Sequence, residues 1–282
     1  MRLVGQNSVP RIKRRSSLGQ TILTLLSVIV LFLAAFTAIE VPIASQRNIS
    51  AFAFNKVQIA VDYLPAQAQS RVKGFFPVLN QPRPDYRTTF YSPLAPAAVF
   101  VGYVLGPLQG LLACLTFLIL GLIGPYVGIH PFANGGGLGY LHEPGFGYLL
   151  ALMPTAWVSG MITRGRRTTV SQSLAVFAGL TVTHLTGLMF LFGSVLVSYL
   201  VNGNSAALAW QPWVFELARN MTWYPVPYDI LSALALIGLG FPFRWLSNTL
   251  VAPDSASKAP ATVKEREFVT VDAFDEYERN LV

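Results

Sequence analysis

Between Tyr91 and Ile129 the chain carries no Asp, Glu, Lys or Arg. Such a stretch cannot supply a water-facing surface, which needs charged and polar side chains. It is also too long for one membrane helix. A hydrocarbon core about 30 Å thick takes roughly 20 helical residues at 1.5 Å each. Two spans with a tight turn fit it, and Gly106-Pro107 is the natural break, because proline disfavours helix at the residue before it. Composition agrees: 53% of the 282 residues are apolar and 12% are charged, against about 25% charged in a soluble domain. These values exclude a soluble enzyme, a disordered chain and a disulfide scaffold. In lipid, only helices or closed barrels satisfy every backbone polar group. The apolar runs lack period-2 alternation, so they read as helices.

The first span is expected from Thr21 to Ile43, after Arg11, Lys13, Arg14 and Arg15 and with Glu40 near its far end. A cleaved signal peptide is the alternative, but the run exceeds the usual 7–15 apolar residues of that element. The second and third spans are 91–105 and 107–124. A fourth runs from Pro144 to Ile162, a fifth from Ser171 to Leu200 with His184 inside it, and a sixth from Pro225 to Leu246 with Asp229. The pattern predicts an all-α membrane protein, a six-transmembrane-helix bundle with both termini cytoplasmic. The short loops set that orientation. The N-terminal flank, the loop with Arg164, Arg166 and Arg167, and Arg244 all fall on one side, which the positive-inside rule makes cytoplasmic. The bundle is then multi-pass in the cytoplasmic (inner) membrane.

Three organisational units follow: a basic flank over 1–20, the bundle over 21–250, and a polar tail over 251–282 with seven acids against four Lys/Arg. Residues 44–90 form a long external loop despite their basic residues, since long loops translocate with little regard to charge. Within it, 51–79 fits a short amphipathic surface helix. Trp210, Trp213, Trp223 and Tyr224 suit an interfacial aromatic belt. The net charge of +7 sits in short flanks without a long basic face, so nucleic acid is not an expected partner.

The chemistry-bearing segment is the 124–147 loop, which holds eight glycines, Asn134 and several aromatics. Glycine lets backbone polar groups approach a ligand closely, and irregular backbone at membrane depth lines cavities or is buried in protein. A solvated connector is the plain alternative, but the loop's apolar residues favour a binding loop folded into the bundle mouth. Asp229 reads either as a charge facing the dipole of its own helix or as a ligand contact. His184 reads either as an interhelical hydrogen-bond partner or as a ligand contact. Gly102, Gly106 and Gly110, and separately Ala34 and Ala38, put small residues at four-residue spacing, suited to close helix packing or to docking a partner. Cys114 is a packed hydrophobe. No G-x-x-x-x-G-K-[ST], H-E-x-x-H or G-x-S-x-G occurs. No metal, no cofactor and no ATP bound in the phosphate-loop manner are therefore expected.

Gly106-Pro107-Leu108-Gln109-Gly110, Leu120-Gly121-Leu122-Ile123-Gly124, Pro131-Phe132-Ala133-Asn134-Gly135-Gly136-Gly137-Leu138-Gly139 and Glu143-Pro144-Gly145-Phe146-Gly147 together resemble the BioY family, the biotin-specific S components of energy-coupling-factor (ECF) transporters. The resemblance covers roughly 91–250, and Ala34-x-x-x-Ala38 looks like the family's docking motif. It implies a non-enzymatic membrane subunit for biotin uptake, with an ECF transmembrane coupling subunit and ATP-binding subunits as partners. It also implies a site near the external face, walled by the last three helices and the 44–90 and 124–147 loops. Asn134, Gly135, Gly136, Tyr140, Tyr148, His184 and Asp229 are the expected ligand contacts. Asp229 matches the Asp of the family's Asp-x-x-Lys, but the Lys position is Ser232. The ligand carboxylate is then left without that partner, and an outer-loop arginine such as Arg87 is a substitute. Two rival readings remain: an S component for another small vitamin-like metabolite, or a membrane-embedded enzyme using His184, His142, Glu143 or Asp229.

Overall fold

The computed structural model describes residues 17–128, 130, 132, 136–165, 168–202 and 212–250. Asn134, Gly135, Arg166, Arg167, Trp210, residues 1–16 of the basic flank and the C-terminal tail lie outside the described residues.

Helix α4 (Leu94–Leu105) is the axis of the bundle. Its sequence is apolar all round, the signature of a helix enclosed by protein, and every residue from Pro96 to Leu105 is buried. Around it pack α1 (Ser17–Phe36), α5 (Pro107–Ile123), α7 (Leu152–Ile162), α8 (Thr169–Asn202) and α10 (Val226–Leu250). Small residues set the separations. A Cβ at Gly102 would stand 2.1 Å from the Ala156 carbonyl oxygen, one at Gly110 2.9 Å from Gly102 Cα, and one at Gly160 2.5 Å from Pro107 N. The Gly102/Gly110 spacing therefore serves packing inside the bundle. Gly106, at φ 90°, makes the turn from α4 to α5, a conformation glycine adopts without strain.

Helix α1 turns Leu23, Val28, Leu31 and Ala34 inward and leaves Leu18, Ile22, Leu25, Ile29, Leu33 and Phe36 exposed. An unbroken apolar stripe of this length is the outer face of a membrane helix. Among the described residues, Leu18–Phe36, Pro107–Val127 and Thr169–Val201 are long and apolar enough to cross a bilayer. Leu94–Leu105 and Phe146–Ile162 are apolar but shorter. The 12 residues of α4 reach only about 18 Å at 1.5 Å per residue.

Several boundaries differ from expectation. The first span ends at Phe36, not Ile43, and the second starts at Leu94, not Tyr91. The intervening residues make a hairpin-like pair, β1 (Ile39–Pro42) antiparallel to β2 (Thr88–Tyr91), with Ile39 opposite Tyr91. Alternating β-branched residues suit a strand, and Pro42 has no N–H to continue a helix. Ala38 consequently lies beyond the helix end and is exposed, whereas Ala34 is buried and its carbonyl accepts from Ser92 Oγ at 2.8 Å. The two alanines therefore do not lie on one helix. The fourth span breaks at Ala151 into α6 (Phe146–Leu150) and α7, because Pro154 offers no N–H to the Leu150 carbonyl.

Residues 44–90 hold two helices rather than one, α2 (Gln46–Asp62) and α3 (Ala66–Phe75). Ser45 caps α2 by accepting from Asn48 N. Buried Gln58 donates to the carbonyls of Leu79 (3.2 Å) and Gln81 (2.8 Å), pinning the returning strand of chain. Asp62 gathers Lys73 and Arg83, each at 2.8 Å.

Candidate functional site

The β2 segment lines a cavity of about 770 Å³ at one end of the bundle. Ligand sites commonly enclose about 300–1,000 Å³. Its walls are Ala35 of α1, Ile43 just after β1, Arg87–Ser92 of the β2 segment, Leu94 and Ala95 of α4, residues of the 132–149 region, Leu152 of α7, Thr183 and His184 of α8, and residues between Glu216 and Asp229 around the start of α10. Between α9 (Pro212–Ala218) and α10 the backbone makes a wide π turn over Arg219–Trp223. This turn carries Arg219, Asn220 and Met221 to the cavity wall.

The floor is a polar cluster. Asp229 is 3% exposed, one turn into α10. Tyr91 Oη donates to its Oδ1 at 2.9 Å. His184 Nε2 lies 3.2 Å from its Oδ2, close enough for an ion pair but too poorly aimed for a hydrogen bond. Both His184 ring nitrogens are buried without a hydrogen-bond partner. Burial first, and then the Asp229 charge, raise the Tyr91 phenol far above its usual range, so it stays a donor to the carboxylate. Just below, Thr155 and Thr183 share a 2.7 Å hydrogen bond between α7 and α8. Tyr148 bonds Thr222 of the π turn at 2.7 Å.

The described part of the glycine-rich loop folds onto the bundle. Phe132 is buried against α5, where a Cβ at Gly121 would stand 2.0 Å from its ring. Gly136, at φ 82°, presses on the Gly121 carbonyl, where a Cβ would approach to 2.4 Å. Only glycine fits that position, on both backbone and space. A chain of ring contacts then runs Phe117–Phe132–Tyr140–Phe146–Phe190, with centroids 5.1 to 6.3 Å apart, in the edge-on arrangements aromatic pairs prefer. Burial, with Glu143 second, pushes the Tyr140 phenol up.

Of the expected contacts, Tyr140, Tyr148, His184 and Asp229 meet at this cavity. Gly136 supports the loop behind Phe132 and does not line the cavity. Asn134 and Gly135 lie outside the described residues. His142 is not among the cavity-lining residues, and among the described residues no three His, Cys, Asp or Glu gather as a metal site. Sequence reasoning missed Tyr91, Thr183, Arg219 and Tyr224. Tyr91 was assigned to a span, and the π turn leaves no periodic signal. Arg87, named from sequence only as a substitute, lies on the cavity wall.

No curated protein matches the chain. Among solved structures, a crystal structure of the S-component for biotin from an ECF-type ABC transporter is similar at 16% identity, with a TM-score of 0.36, over 72% of this chain and 94% of that one. The BioY family matches residues 94–244. That stretch exceeds half of the sequence and contains α4 to α8 together with the Asp229 and His184 floor, and the chain belongs to the BioY family.

Proposed function

We propose that this chain is a biotin-binding S component that captures biotin at the external face of the cytoplasmic membrane. It has six spans and both termini inside. An ECF transmembrane coupling subunit and ATP-binding subunits then drive release, and the S component itself makes and breaks no covalent bond. The observation that carries this reading is a cavity with a half-satisfied polar floor, in a chain of the BioY family.

Biotin matches that cavity chemically. Its fused rings are largely apolar, and its ureido group presents two donors and an acceptor. A neutral imidazole offers one donor and one acceptor, and both His184 nitrogens are buried and unpartnered. An ionised carboxylate has about four lone-pair positions, so Asp229 keeps accepting capacity beyond Tyr91. The ureido group set against His184 and Asp229 satisfies groups that are otherwise expensive to bury. Tyr140, Tyr148 and Phe132 supply the apolar wall. Asn134 and Gly135 are assigned as further contacts from the loop, and Gly136 as the residue that lets the loop close.

Titration calorimetry on the purified protein tests the reading. Saturable binding at micromolar biotin is expected, and none at that concentration rejects it. Ser232, where the family's motif has Lys, favours a second reading as an S component for a different vitamin-like molecule. Mass spectrometry of ligand carried through purification separates the two.

A further inference from the structure

The floor of the cavity deals with a neutral hydrogen-bonding head and leaves open what holds an anionic end. Two guanidinium side chains, Arg87 and Arg219, belong to the cavity wall, and both residues are exposed, which places them at its rim. The ion pairs among the described residues are Lys73–Asp62, Arg83–Asp62 and His184–Asp229. Neither rim arginine therefore has an ion-pair partner among those residues. Glu216 lines the same rim but pairs with neither, and one carboxylate does not cancel two guanidiniums.

Both arginines are positioned by structure that also builds the floor. Arg87 immediately precedes β2, and its carbonyl accepts from Ile43 N at 2.9 Å. Tyr91, four residues along the same extended segment, reaches Asp229. Four strand residues advance about 13 Å at roughly 3.3 Å each, so one segment of chain measures out the distance from floor to rim. Arg219 opens the π turn, and its guanidinium lies over the Tyr224 ring at 5.4 Å from the ring centre. Stacking holds the plane of the fork and leaves its N–H edges free for a carboxylate.

From this geometry we infer that Arg87 and Arg219 form the carboxylate-selective subsite of the cavity. The inference rests on the biotin reading above. Biotin lies with its ureido head on His184 and Asp229, its chain runs along β2, and its carboxylate sits between the two guanidiniums. Selectivity for an acid over its neutral amide is then set at the rim, by residues from two segments far apart in sequence.

Binding of biotin and of biotinamide, its neutral amide, is measured by calorimetry on the wild type, Arg87→Gln and Arg219→Gln, with thermal melting to confirm folding. The wild type is expected to prefer biotin by at least about tenfold. Each variant is expected to lose about ten- to a hundredfold for biotin, the scale of a charge-assisted hydrogen bond, and to hold the amide within about threefold. Equal wild-type affinity for acid and amide overturns the inference. So do variants that keep wild-type affinity for biotin, or folded variants that weaken for both ligands alike. In each of those results biotin still binds the wild type and the biotin reading stands. If the wild type binds neither ligand, the biotin reading itself has failed.

Discussion

At the Gly106 end of α4, helices touch backbone to backbone. Gly102 lies under the Ala156 carbonyl, Gly110 lies on Gly102, and Gly160 lies on Pro107. At the Leu94 end of the same helix, Leu94 and Ala95 face a cavity of about 770 Å³. The contrast comes from side-chain size and from what closes each end. Small residues in register let three helices meet with no room between them. At the other end Tyr91, His184 and Asp229 face a cavity that the β2 segment and Phe132, Tyr140 and Gly145 of the glycine-rich loop also line. The bundle is thus close-packed at one end and hollow at the other.

The largest effect should come from breaking the closed end. Gly102→Val places methyl groups where even a Cβ would stand 2.1 Å from Ala156 O. The nearest atoms are the Ala156 carbonyl and the Ser159 hydroxyl, and the backbone carbonyl cannot step aside. We expect a loss of about 3 kcal/mol or more, seen as a collapse in the yield of monodisperse protein and in its melting temperature. Gly139→Ala, in the loop with open space around it, should change stability by less than about 0.5 kcal/mol. Equal tolerance at the two positions would mean the close packing is not what holds α4, α5 and α7 together.

Next in size is the floor of the container. Asp229→Ala strands the Tyr91 hydroxyl and leaves His184 with no carboxylate near it. Unpartnered buried polar groups cost about 1–3 kcal/mol each. Biotin affinity should fall by at least about tenfold in calorimetry, while Tyr91→Phe should fall by less, because Asp229 then keeps its lone pairs for the ligand. Unchanged affinity in both variants would remove Asp229 from the site.

A smaller effect tests the boundary between the two ends. Thr155 bonds Thr183 Oγ1 at 2.7 Å and the Gly179 carbonyl at 3.2 Å, where the packed region gives way to the cavity wall. Thr155→Val keeps the shape and removes these bonds. We expect about 1 kcal/mol of destabilisation in thermal melting, with biotin affinity within about twofold. A large loss of binding would place Thr155 in the site itself.

This division explains what the sequence disclosed. The helices at the closed end were legible because apolar runs and small-residue spacing are local signals: the fifth span, expected from Ser171 to Leu200, is Thr169–Asn202. The glycine loop was legible as a feature that turns inward, and buried Phe132 shows what anchors it. The hairpin was not legible. Ile39–Pro42 read as the end of the first span and Thr88–Phe90 as part of the long loop, and their pairing spans the whole of α2 and α3. Tyr91 reaches Asp229 across 138 positions of sequence, a relation no local pattern reports. Arg219 was missed because a π turn has neither helical nor strand period.

The α2–α3 cap obeys a third rule, solvent-exposed charge, and yields the smallest prediction. Asp62 ends α2 and accepts from Lys73 of α3, Arg83 beyond it, and Gln69 at 2.9 Å. The hydrogen bond from Lys73 first, and then that from Arg83, hold its carboxyl down at about 2, against an ordinary value of 3.8. A folded-state value below the unfolded one means these ties are intact above the ordinary carboxylate range. They are lost as pH falls from about 3.8 towards about 2. At neutral pH the cap should therefore be closed, and it should loosen only in strong acid. Amide hydrogen exchange along α2 and α3 reads this directly, as a drop in protection below about pH 4 in the wild type. Asp62→Asn should lack that drop, because its side chain cannot titrate, and high salt should blunt it in the wild type by screening. Identical acid responses in the two proteins would show that the cap is held by Gln58 and its two carbonyls rather than by charge.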